Sequence, residues 1–102
     1  MNDLERRFHG SMIEIYEKAK RETGYNATRF LQMVSEIGGL AAARRLLGAS
    51  VASDGFTALW ERGRLDLTVE TLALSEQCRE LFSDDEREGT VARLAAYRRP
   101  ND

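Results

Sequence analysis

Between Tyr25 and Leu47 the chain reads YNATRFLQMVSEIGGLAAARRLL, two stretches of helical periodicity separated by the adjacent glycines Gly38 and Gly39. Spacings of three and four place Phe30, Met33, Val34 and Ile37 on one side of a first helix. The same spacing places Leu40, Ala43, Leu46 and Leu47 on one side of a second. The glycine pair ends one helix and turns the chain into the next. Two short amphipathic helices need further helices to cover their apolar sides, so this segment points to a helical bundle. Arg44 and Arg45 fall on the outward or lateral side of the second helix.

The rest of the chain repeats the pattern. From Asp3 to Thr23 an apolar stripe of Leu4, Phe8, Met12, Ile15, Tyr16 and Ala19 predicts a long helix. Asp3 with Arg7, Glu14 with Lys18 and Glu17 with Arg21 are acid-before-base pairs at four-residue spacing, each worth ~0.3 kcal/mol on an exposed face. Gly24 suits the left-handed closure of that helix, and Asn26 stands where the N-cap of the next belongs. After the small-residue loop GASVASDG, Ser53 or Asp54 can cap a helix from Gly55 to about Arg62 that buries Phe56, Leu59 and Trp60. GRLDLTVETLALSEQ fits either a strand or a helix. A helix from about Thr68, capped by Asp66 or Thr68, is favoured because a lone strand would leave its backbone unsatisfied. A turn follows at Cys78 to Phe82. Ser83 with Glu86 then forms a capping box for a last helix carrying Val91, Leu94, Ala95 and Tyr97. The expected fold is all-α, a compact bundle of five or six helices, with residues 1–102 as a single helical domain and 97–102 as a frayed tail.

Composition removes several functions. No run approaches the ~20 apolar residues of a membrane span. The charged start MNDLERRFHG is unlike a secretory leader, and the lone Cys78 agrees with a reducing compartment, so the expected location is cytoplasmic. His9 and Cys78 are the only soft metal ligands and are far apart, so no metal site is expected. No phosphate-binding glycine pattern appears, and His9, the only imidazole, has no nucleophile or orienting partner in view. Asp84 and Asp85 are better explained as helix-start acids than as a cation site. Neither catalytic nor cofactor-binding residues are assigned.

Two groups of residues remain as candidates for contact. Arg44 and Arg45, with Lys18, Lys20, Arg21 and Arg29 as phosphate contacts, would suit a small helix-turn-helix-like DNA-binding regulator built from residues 27–47. The chain carries a net charge of -2, and a basic footprint is what phosphate binding requires. That footprint is local. Residues 1–50 hold eight Lys/Arg and six Asp/Glu, whereas residues 51–102 hold seven and eleven, with acids gathered at Asp84, Asp85, Glu86 and Glu88. The second group, Trp60, Arg62 and Arg64 beside Glu61 and Asp66, could form an interaction edge, since aromatics and arginine are enriched at hot spots. A small core equally needs its tryptophan inside.

The blocks YNATRFLQMVSEIGG, AARRLL and GFTALWERGRLDLTVE, with the Leu-Phe pair before the last helix, resemble a family of short uncharacterised bacterial helical proteins. Similar segments also resemble terminal pieces of longer bacterial proteins. The resemblance covers nearly the whole chain and implies a bacterial, modular origin, with no reaction to transfer. The combined expectation is a non-enzymatic accessory or protein-protein interaction module of a bacterial cytoplasmic system, meeting a protein partner or a second copy of itself. The DNA-binding regulator is the alternative, and an enzyme with an unrecognised site stands third.

Overall fold

Helix α1, Asp3–Thr23, is the longest element, and its sequence explains both ends. The Asn2 side chain accepts a hydrogen bond from the Glu5 amide 2.8 Å away, and Gly24 closes the helix at φ 79°. The structure is a computed structural model that describes residues 2–98. Five more α-helices follow among these residues: α2 Thr28–Ile37, α3 Gly39–Gly48, α4 Asp54–Glu61, α5 Val69–Ala73 and α6 Asp84–Tyr97. Two 3-10 segments, Leu65–Leu67 and Glu76–Leu81, flank α5. The described residues contain no strand, and their radius of gyration is 12.8 Å, about that of a compact domain of this length. The all-α bundle expected from periodicity is therefore the fold.

The α1–α3 crossing is set by one glycine. A Cβ on Gly39 would stand 2.7 Å from the His9 Cα, so only glycine allows the two backbones to approach this closely. At the same point the Gly39 amide donates to His9 Nδ1 at 2.9 Å. The imidazole thus serves as the N-terminal cap that α3 lacks in its own sequence, since Gly38 offers no side chain. His9 is half-buried, and its partner lies 30 residues along the chain. Gly38, at φ 87°, is the sole residue between α2 and α3.

Phe8 and Met12 of α1, Val34 of α2, Ala42 and Ala43 of α3, and Val69 and Ala73 of α5 form the main core. Cys78, Leu81 and Phe82 complete it, with the Phe8 and Phe82 rings edge to face at 5.5 Å. The stretch read as a turn at Cys78 to Phe82 is thus a 3-10 segment and its exit, and it supplies three core residues. A smaller cluster joins Ala19, Leu59 and Leu67 under Tyr25. Leu40, Leu46 and Leu47 are only half-buried, because the small Gly39, Ala42 and Ala43 occupy the centre of α3 and let its neighbours in.

Several local expectations are met: Ser53 caps α4, Thr68 caps α5, and Ser83 with Glu86 forms the capping box of α6. Others need correction. Asn26 does not cap α2, whose N-cap is Ala27 with no side-chain bond. The Asn26 oxygen instead accepts from the Tyr16 hydroxyl at 2.7 Å, which ties the α1–α2 connection to α1. Asp3 pairs with Arg6 and Arg21 with Glu22, so only Glu14 with Lys18 forms the expected four-residue pair. On α6, Val91 and Ala95 face outward while Thr90 and Leu94 are buried. Tyr97 is the last residue of that helix, with its ring against Phe56 and Trp60. The rest of the expected frayed tail, residues 99–102, lies outside the described residues.

Candidate interaction surface

Most of the chemistry-bearing side chains are already committed within the molecule. Glu70 on α5 is 2% exposed, and its carboxylate accepts from Arg93 Nη1 of α6 at 3.1 Å. Burial pushes the Glu70 carboxyl above its ordinary range, while its backbone bond and Arg93 pull it back. Arg93 also donates to the carbonyls of Leu46 and Ala49, two of the groups left open where α3 ends. One guanidinium therefore locks α6, α5 and the exit of α3 together. Neither Glu70 nor Arg93 stands out in the sequence, since a charged residue on a short amphipathic segment ordinarily faces water.

Arg44 is committed too. Its Nη2 donates to the Leu81 carbonyl at 2.8 Å and its Nε to Glu86 at 3.1 Å. Glu86 is held below the ordinary carboxylate range, first by the Ser83 amide and also by Arg44. Lys18 pairs with Glu14, and Arg21 with Glu22. Lys20, Arg29 and Arg45 are exposed and have no ion pair among the described residues. The six cations grouped by the DNA reading therefore divide into three bound and three free.

The second candidate group is a brace across the α4 end of the bundle. Trp60 is half-buried, and its Nε1 donates to the Tyr97 carbonyl at 2.7 Å. Arg62 bonds the Ala58 carbonyl and lies 5.2 Å over the Tyr25 ring. Arg64 bridges Asp66 at 3.0 Å and Glu22 at 2.7 Å. These bonds, that to Asp66 first, raise its pKa and lower those of Asp66 and Glu22.

Two open grooves are relevant to contact. One, of about 470 Å³, lies between the N-terminal ends of α2 and α4, with Phe30, Met33 and Leu46 in its wall and Arg29 and Asp54 at its rim. Its opposite rim charges offset each other. The other, of about 580 Å³, runs between the 3-10 segment Glu76–Leu81 and α6. Leu74, Val91 and Ala92 supply its apolar surface, and Val91 is 53% exposed. Asp84 and Arg87 pair with each other at 4.0 Å on its edge, whereas Glu76, Glu88 and the basic Arg79 have no ion-pair partner among the described residues. The groove beside α6 therefore joins an apolar surface to a mixed border, in which the unpaired acids Glu76 and Glu88 outnumber Arg79 by one. Val91, one of the apolar residues the sequence places on the last helix, opens into this groove.

Cys78 is buried beside Ser75, whose hydroxyl contacts its sulfur at 3.2 Å, and it faces a groove with Arg7 and Ser11. No group of three metal-ligating side chains occurs among the described residues, and no helix there is long and apolar enough to cross a membrane. Comparison with known proteins finds no matching family model, no curated protein and no solved structure of significant similarity.

Proposed function

We propose that this chain is a non-enzymatic accessory or protein-protein interaction module whose contact surface is the apolar groove with a charged border beside α6. The observation carrying this reading is Val91, a large apolar side chain more than half exposed in a groove bordered by Glu76, Glu88 and Arg79, charges with no ion pair among the described residues. Interfaces join an apolar centre to a polar rim in this way. A bacterial cytoplasmic setting is what the resemblance of the sequence blocks implies.

The DNA-binding alternative finds less support. A single residue separates α2 from α3, where helix-turn-helix motifs use three or four. Helix α3 also packs against α1, α2, α5 and α6, leaving little of it to enter a groove of DNA, and Arg44 is held by Glu86 and Leu81.

A photo-cross-linking residue at Val91, compared with one at the exposed Gln32 on α2, tests the reading in cells. Discrete protein adducts from position 91 and none from position 32 are expected. Adducts to nucleic acid, or none from position 91, would overturn it.

A further inference from the structure

We infer that the groove beside α6 takes the Val51 loop of a second copy of this chain. The inference rests on the reading above, that this groove is the contact surface. Val51 is 74% exposed, the most exposed large apolar side chain among the described residues. Its loop, residues 49–53, carries no charged residue and is fastened at both ends. Arg93 bonds the Ala49 carbonyl, and Ser53 caps α4 by accepting from the Phe56 amide at 3.1 Å. A short fastened loop presents its apolar tip with little conformational entropy left to lose on docking.

The charges are complementary by a net of one. Arg45, in the last turn of α3 just before this loop, is exposed and has no ion-pair partner among the described residues. The groove offers Leu74, Val91 and Ala92 as an apolar bed, and among its charges with no ion pair in the described residues the acids Glu76 and Glu88 outnumber Arg79. Its roughly 580 Å³ leaves room for the Val51 side chain and the backbone that carries it.

The two surfaces cannot meet within one chain. Arg93 reaches the loop from α6, and Val91 lies two residues earlier on the same helix. At about 100° per residue, two positions apart lie on nearly opposite flanks of a helix. The loop and groove therefore face away from each other across α6, and a second copy is needed to join them. A two-fold pair in which each chain gives its loop to the other's groove closes the assembly without exposing a further site.

Sedimentation velocity on the full chain over a range of concentrations tests this. A dimer that dissociates on dilution is expected, and Val51→Asp and Val91→Asp should each weaken it by about tenfold or more. Both positions are exposed, so thermal melts of the variants should match the parent. Arg45→Glu and Glu88→Lys should each weaken the dimer, and the two together should restore it. A chain that stays monomeric, or a dimer indifferent to these changes and not restored by the charge swap, would overturn the inference. If the chain is monomeric yet position 91 cross-links another protein, self-docking falls and the groove reading stands. If neither association nor cross-linking occurs, both fall.

Discussion

Replacing Arg93 by alanine would leave Glu70 buried at 2% exposure with no counter-charge and remove the bonds to Leu46 and Ala49 at the exit of α3. Breaking a buried pair by removing one partner costs about 3–5 kcal/mol, chiefly through the stranded charge. A domain of this length has a total stability of only roughly 5–15 kcal/mol. The midpoint of thermal unfolding should fall by roughly 12–40 °C, taking about 4–8 °C per kcal/mol. Urea unfolding followed by circular dichroism should show a lower midpoint and an unchanged slope. Replacing both partners, Glu70→Leu with Arg93→Met, should recover stability to within about 1–2 kcal/mol of the parent, because no charge is then left buried. The deficit of Arg93→Ala should also shrink in acid. Burial raises the folded pKa of Glu70 above 4.5, so the cost of its charge is present at neutral pH and relieved as pH falls through that raised value. An Arg93→Ala variant within about 1 kcal/mol of the parent, or a double variant no more stable than the single, would refute the lock.

Glycine substitutions and acid titration give two further tests. Gly10→Ala, where a Cβ meets nothing within 4 Å inside α1, should stabilise by about 0.5–1 kcal/mol. Gly39→Ala, where the Cβ meets the His9 backbone at 2.7 Å, should destabilise by about 1–3 kcal/mol; parallel urea titrations compare the two. Glu22 and Asp66 are held below 4.5 and 3.8, chiefly by bonds from Arg64. The stability they contribute is therefore present above those ordinary values and lost as pH falls through the lowered ones. Denaturation at stepped pH should show Arg64→Gln less stable than the parent at neutral pH, with the gap closing in acid.

Much of the fold is legible in the chain because helix identity depends on local spacing. The stripes of α1 and α2, the left-handed Gly24 and the caps Ser53, Thr68 and Ser83 follow from residues within one turn of each other. What local spacing cannot convey is which distant groups meet. Nothing near His9 reveals that it caps a helix 30 residues away. Nothing near Glu70 reveals that Arg93 lies 23 residues ahead to pair with it. Asn26 shows the opposite failure: it has the right residue type at the right place for a cap, but Tyr16 claims its oxygen. The groove was illegible for the same reason, since Val91 has the spacing of a core residue and its exposure is decided by how the Glu76–Leu81 segment packs.

Amide chemical-shift mapping tests the central claim, that the groove beside α6 binds protein by receiving the Val51 loop of a second copy. Spectra of the full chain should be recorded across about a hundredfold range of concentration, and again with added duplex DNA. The account predicts concentration-dependent shifts confined to residues 74–79 and 87–92 with residues 45 and 49–53, and none on adding DNA. Invariant groove resonances, with DNA moving those of Lys20, Arg29 and Arg45, would contradict it.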